Sequence, residues 1–330
     1  MQIRKVIELI ENRKAKLAVL LGHINADPDA ICAAFGMAQL LQRLKPSLTI
    51  EIATAQGPSR LSKAVLKALP AKLTMQPRIE EADIIVLLDT NTVQQLGEWS
   101  NRVKASKAAL VVIDHHASHP ETESLAALSV ADEKASSTCE IVYRLYKEAQ
   151  VNLTPVEAKA LFLGIAFDTR HFILASSSTF KVIADLVDAG VKAEETLNVL
   201  SLPMDSSERV ARLKASKRIK LIRVNDWLLA FSNVSAYQAS AARALISVGA
   251  HVAVVAGQKE EKLQISLRAT QDFHEKTRVH LGRDIAKPLG EYLHGMGGGH
   301  AVSAGVNGEG EVEASLKRCA RLLREKITQL

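Results

Sequence analysis

The stretch GHINADPDA, residues 22–30, sets His23, Asp27 and Asp29 within seven positions, directly after the apolar run LAVLL. Two later apolar runs end in the same kind of residue. DIIVLLD (83–89) ends in Asp89, and ALVVIDHH (109–116) ends in Asp114, His115 and His116. A fourth carboxylate, Asp168, ends the apolar stretch LFLGIAFD. Taken singly, these residues have ordinary readings. Asp27 and Asp29 are what a helix N-terminus attracts, Asp89 suits a turn, and His115 and His116 suit a loop. Their recurrence at successive strand ends calls for a shared cause. Carboxylates and imidazoles gathered without basic partners need a cation between them. Oxygen-only sets suit Mg²⁺, and added imidazole favours transition metals such as Mn²⁺. Four carboxylates with two or three histidines can hold two ions, one carboxylate bridging.

These residues need elements to position them. KLAVLLG (16–22), LTIEIAT (48–54), DIIVLLD (83–89) and ALVVID (109–114) are short, branched and unalternated, as in a parallel sheet buried on both faces. Helical patterns lie between them, among them residues 28–44 with Pro28 near the start. This alternation predicts an open, doubly wound, mostly parallel α/β sheet, whose ligands bind at the carboxyl ends of its strands. From about 134 to 188 the chain turns helical, with Ser137 and Glu140 spaced as a capping box and Thr154–Pro155 opening another helix. Residues 189–216 read as a helical linker, with Asp205 and Glu208 as a further cap pair. A second, smaller α/β domain follows over 217–330. It has strands at 227–234, 251–257 and 262–270, a helix at 236–248, a glycine-rich loop HGMGGGHAVSAG (294–305) and a final charged helix.

Composition bounds the class. The chain has 330 residues, 47% of them hydrophobic and 24% charged, enough for two globular domains. No apolar run approaches the roughly 18 residues that span a bilayer. The N-terminal MQIRKVIELIENRK is an amphipathic helix and not a signal peptide, so the expected location is cytoplasmic, with no membrane partner. Cys32, Cys139 and Cys319 form no CxxC pair, which excludes a disulfide framework and a thiolate zinc site. The formal net charge of +6 admits polyanionic partners, the more so if aspartates are sequestered around cations.

His23-x3-Asp27-x-Asp29, Asp89, Asp114-His115-His116 and Asp168-Thr169 together resemble the four ordered motifs of the DHH phosphoesterase family. GGGHAVSAG (297–305) and SLR (266–268) resemble the DHHA1 domain that follows in that family. The two-domain length is similar to the branch of nanoRNA oligoribonucleases, 3′-phosphoadenosine 5′-phosphate phosphatases and cyclic-dinucleotide phosphodiesterases. The resemblance implies a DHH catalytic domain over 1–188 and a DHHA1 substrate-binding domain over 217–330. It implies two divalent cations, with Mn²⁺ expected. His23 and Asp27 would hold one, Asp29, His115 and Asp168 the other, and Asp89 both. Asp114 would orient a histidine ring and His116 stand beside the scissile phosphate, which makes these two the catalytic pair. Arg170 departs from the family, where glycine commonly follows Asp-Thr, and Ala26 stands where many members have proline.

In the second domain, strand alternation puts Gln264, Ser266 and Arg268 on one face, from which an arginine can clamp phosphate or stack on a base. Arg268, Gly297, Gly298, Gly299 and His300 are the expected substrate-binding set. The reading is a Mn²⁺-dependent phosphoesterase acting on short single-stranded RNA, DNA or small nucleotides, with a homodimer as a further candidate partner. The alternatives are a single-strand-specific exonuclease, an inorganic pyrophosphatase on the same catalytic domain, and a non-catalytic nucleic-acid-binding scaffold.

Overall fold

The structure is a computed structural model that describes residues 1–201, 204–259 and 262–328. It divides into two compact units, Met1–Leu202 and Pro203–Leu330. The first is built on five strands: β1 (Leu17–Gly22), β2 (Thr49–Thr54), β3 (Ile84–Leu88), β4 (Ala109–Asp114) and β5 (Ala126–Ala131). All pair in parallel, in the order β2-β1-β3-β4-β5. This is the doubly wound α/β sheet expected. Successive strand residues feed opposite cores, which explains the unbroken apolar runs. Ala18, Leu20, Ile84, Val86, Val111 and Ile113 pack under the helices Pro28–Leu44, Thr138–Glu148 and Pro155–Asp168. Leu17, Val19, Leu21, Ile85, Leu87 and Val112 pack on the other side with Leu96 and Trp99. In this order the connections reverse between β1 and β3, the switch point at which open α/β sheets bind ligands.

The helix caps refine the sequence reading. Ser137 accepts the Glu140 amide, but the Glu140 carboxylate turns to the amide (3.2 Å) and hydroxyl (2.7 Å) of Ser136, so half of the box forms. Asp205 likewise accepts the Glu208 amide at 2.7 Å while the Glu208 carboxylate bonds Arg212. Thr154 with Glu157 forms a complete box. Within 189–216, the helix Ala193–Val199 buries Thr196 in the first unit, whereas Ser206–Lys217 packs Ala215 into the core of the second.

The second unit carries six strands, β6 (Lys220–Val224), β7 (Trp227–Asn233), β8 (Val252–Lys259), β9 (Lys262–Ala269), β10 (Met296–Gly299) and β11 (Ser303–Glu309). Their order is β10-β11-β9-β8-β7-β6. Among the described residues only β7 and β8 pair in parallel, joined by the crossover helix Gln238–Val248. The segment expected as a glycine-rich loop is instead a hairpin, β10 paired with β11. Its glycines permit close packing: a Cβ at Gly297 would lie 1.8 Å from the Ala286 carbonyl oxygen, and one at Gly282 would lie 2.1 Å from that of Gly299. Among the described residues no helix is long and apolar enough to cross a membrane.

Candidate metal centre

Three consecutive strand ends at the switch point supply the predicted residues. After β1 the chain turns and starts the Pro28–Leu44 helix, with Asp27 as N-cap. Asp27 Oδ1 accepts the amides of Asp29 (2.9 Å) and Ala30 (3.2 Å). The capping and site roles therefore coincide: one oxygen serves the helix, and Oδ2 lies 3.9 Å from His23 Nε2. His23 Nδ1 donates to its neighbour's carbonyl, Ile24 O, at 2.8 Å. That tautomer leaves the Nε2 lone pair for a cation.

Asp29 is not a solvated charge. It is fully buried, and its two oxygens accept the amides of Thr138 (2.7 Å) and Cys139 (3.1 Å) in the first turn of Thr138–Glu148. Gly164 makes room for it, since a Cβ there would stand 2.6 Å from Asp29 Oδ1 and 2.3 Å from Cys139 Sγ. Asp89, just past β3, is 4% exposed and holds a left-handed φ of 54°. That conformation is uncommon outside glycine and gathers at functional sites. Its Oδ2 is 3.8 Å from His23 Nε2, its Oδ1 is 3.5 Å from both His115 Nε2 and His116 Nδ1, and it accepts the Thr138 hydroxyl at 3.1 Å. Asp168 ends the Pro155–Asp168 helix with Oδ2 3.1 Å from His115 Nε2. Asp114 Oδ1 accepts both the His116 amide and its Nδ1–H, each at 2.8 Å.

The donors form three groups that can each hold an ion: His23, Asp27 and Asp89; Asp29, His115 and Asp168; and Asp89, His115 and His116. Asp89 is common to the first and third. The electrostatics fit cations. Burial, then the charges of neighbouring carboxylates, pushes Asp29 and Asp89 well above the ordinary carboxylate range and raises Asp27 as well. Among the described residues, no lysine or arginine pairs with any of them. Buried His115 Nε2 comes close to two carboxylates without aligned hydrogen-bond geometry and so has no hydrogen-bond partner. A donor lone pair aimed at a shared cation would look like this. Burial alone would lower His115, but Asp168 and Asp89 outweigh it and raise it. His116 is raised chiefly by its hydrogen bond to Asp114.

The substrate-binding residues expected in the second unit also come together. Arg268 on β9 pairs in register with Ser303, and Gly299 with Ala304, so Arg268, Gly299 and His300 share one end of that sheet. Arg268 is half-buried and spends one nitrogen on the carbonyls of Leu267 (2.7 Å) and Ala304 (3.4 Å), leaving its other donors. Gly297 and Gly299 are spacers in the packing, while the space beside Gly298 is open. Thr138 and Gly164 were not anticipated. A cap signal marks the start of the Thr138 helix, but its partner lies 109 positions away in sequence.

With this geometry in view, the comparisons with known proteins are decisive. The profile of the DHH family, N-terminal domain, matches residues 18–165. An uncharacterized protein of Methanocaldococcus jannaschii is 31% identical over 301 residues, 91% of this chain and 90% of that protein. The chain belongs to the DHH family. The bifunctional oligoribonuclease and PAP phosphatase NrnA of Bacillus subtilis is 25% identical over 233 residues, 69% of this chain and 66% of NrnA. The cyclic-di-AMP phosphodiesterase GdpP of Geobacillus thermodenitrificans is 30% identical over 171 residues, covering 48% of this chain and 26% of GdpP. An exopolyphosphatase-related protein from Bacteroides fragilis has the same fold, with a TM-score of 0.67 at 19% identity over 99% of this chain and 97% of that one. As a member of the DHH family, the chain is a phosphoesterase, a hydrolase of phosphoric ester bonds.

Proposed function

We propose that this DHH protein is a two-metal, Mn²⁺-dependent phosphoesterase of short oligonucleotides or small nucleotide phosphoesters. In this reading residues 1–188 form the catalytic domain and 217–330 a DHHA1 domain that grips the substrate. The observation that carries it is the sharing of one buried carboxylate, Asp89, between donor groups at the switch point. His23, Asp27 and Asp89 would hold one ion, and Asp29, His115 and Asp168 the other, with Asp89 reaching both. Bound there, divalent ions would supply Lewis-acid stabilisation of the oxygens around phosphorus and a nucleophile from water at neutral pH.

The chain's own residues do the rest. Asp114 fixes the His116 ring through Nδ1 and favours its protonated form. The other ring nitrogen can then hydrogen-bond a phosphoryl oxygen or protonate the leaving oxygen. Asp29, clamped by two helix amides, holds its carboxylate in one orientation. Arg268 and His300 would hold a phosphate of the substrate, with the backbone at Gly298 open to close approach. The activities of NrnA, an oligoribonuclease and PAP phosphatase, and GdpP, a cyclic-di-AMP phosphodiesterase, support this substrate class. The presence of every expected donor speaks against a non-catalytic scaffold.

The test is a Mn²⁺-supplemented panel of dinucleotides, longer RNA and DNA strands, 3′-phosphoadenosine 5′-phosphate, cyclic dinucleotides and pyrophosphate, run with wild type and His116→Ala. Turnover of the short substrates is expected, with kcat down about 10²-fold in the variant and metal content unchanged. Pyrophosphate as the sole substrate, or no turnover with two ions bound, would sink the reading.

A further inference from the structure

The second unit holds a pocket of about 860 Å³ whose residues the phosphate grip does not use. Its floor is the face of the sheet where Gln264 and Asn307 are register partners. Along β9 that pair is four residues from Arg268, roughly 13 Å at ~3.3 Å per residue. The start of the Gln238–Val248 helix makes one wall and His294–Met296 another.

Three carboxamides point the argument to a ligand. Gln238, Gln264 and Asn307 line the pocket, and among the described residues none of them makes a side-chain hydrogen bond. Gln238 is only 8% exposed overall, yet its amide keeps contact with the open space of the pocket, where a ligand can take the place of water. The backbone is cut to seat this amide, because a Cβ at Gly257 would stand 1.9 Å from Gln238 Nε2. A Cβ at Gly295 would likewise stand 2.0 Å from the Asn307 carbonyl oxygen, so the wall closes tightly on the floor.

Apolar surface flanks the amides. Met296 is 79% exposed, and Tyr237 is 40% exposed with a left-handed φ of 63°. The Tyr237 hydroxyl is tied to Asp205 at 2.9 Å. The charges at the mouth, Lys262 and Glu309, are cross-strand partners of opposite sign. The pocket therefore suits a flat, neutral, polar group better than a phosphate. A nucleobase has that chemistry. Its faces stack on aromatic and thioether surface, and its edge sets donors beside acceptors, as a carboxamide does. Glutamine and asparagine pair bidentately with adenine.

We propose that this pocket binds a nucleobase, adenine by the match of its carboxamides, on an oligonucleotide whose phosphate is held at Arg268. The proposal rests on the substrate class argued above. It makes the enzyme read a base remote from the gripped phosphate, so that short oligomers profit from the pocket and mononucleotides do not.

The test is binding of labelled adenine and uracil trinucleotides to the full chain in EDTA, with wild type, the double variant Gln264→Ala/Asn307→Ala and the isosteric Gln264→Glu. Wild type should prefer the adenine oligomer. Both variants should lose about tenfold in affinity for it and most of the preference, with Tm within a degree or two of wild type for the isosteric change. Unchanged affinity and preference in Gln264→Glu, or no adenine preference in wild type, overturns the proposal. No turnover occurs in this assay, so a failure of the hydrolytic reading would show in the Mn²⁺ panel alone.

Discussion

At Asp89 a single carboxylate is buried, accepts the Thr138 hydroxyl and lies within 3.8 Å of His23 and 3.5 Å of His115. Burial and the charges of Asp29, Asp27, Asp114 and Asp168 all raise its pKa. A carboxylate raised in this way favours folding while protonated, and that contribution is lost as pH rises from the ordinary value of 3.8 through the raised one. The metal-free protein should therefore lose stability as pH rises above about 4. Asp89→Asn removes the charge and keeps the shape. In EDTA it should melt higher than wild type, by a margin that grows with pH. In Mn²⁺ the order should reverse, since an ion that binds only the folded state stabilises wild type by mass action. Thermal scans at several pH values in the two buffers check this; a margin independent of pH would refute the assigned electrostatics. The glycines of β10 allow a second prediction. Gly297→Ala forces a Cβ against the Ala286 carbonyl and should cost several degrees in Tm, whereas Gly298→Ala meets open space. The latter should melt like wild type and raise KM for oligonucleotides if phosphate approaches that backbone.

The turn after Asp168 shows what an element can store. Arg170, His171 and Phe172 follow one another with φ of 51°, 56° and 70°, a left-handed turn made without glycine. It is pinned from both ends. The Thr169 hydroxyl donates to Ile165 O at 2.6 Å and accepts the Phe172 amide at 3.1 Å, and the Phe172 ring meets Phe162 edge-on at 5.3 Å. Each such residue costs about 1–2 kcal/mol. Arg170→Gly should relieve that cost, less about 0.5–1 kcal/mol for the freer unfolded chain, and raise Tm by a few degrees; a fall in Tm would mean that Arg170 makes compensating contacts. This turn also marks where sequence reading stops. The strands β1, β3 and β4 were legible because each is buried on both faces and written as an unbroken apolar run, and their terminal residues were legible because strand ends are where such sheets bind. β5 was not legible, since as an edge strand it buries only Val130. The β10–β11 hairpin was hidden because its glycines serve backbone approach, a contact with residues 282–290 that no local pattern announces. Thr138 and Gly164 were hidden for the same reason, since both answer to Asp29 or Asp89 across more than 40 positions.

At the scale of the whole molecule, the donors for chemistry lie in the first unit and the residues proposed to grip substrate lie in the second. The formal charge of +6 counts the four clustered carboxylates Asp27, Asp29, Asp89 and Asp168, which divalent ions would neutralise, so the loaded protein would be more basic than its sequence sum and should attract anionic substrates. If grip and chemistry are divided in this way, they can be separated by mutation. Arg268→Ala and His300→Ala should raise KM for oligonucleotides while leaving metal content unchanged. A lost charge-assisted hydrogen bond costs about 1.5–3 kcal/mol, roughly ten- to a hundredfold in binding. The penalty should shrink at high salt, where phosphate contacts are already weakened for wild type. A generic aryl phosphodiester makes no use of a second phosphate, so both variants should cleave it nearly as fast as wild type does. Steady-state kinetics on the two substrates at low and high salt decides the matter. Equal losses on both would place Arg268 and His300 in the reaction itself or in the stability of the fold, and the division of labour between the units would have to be abandoned.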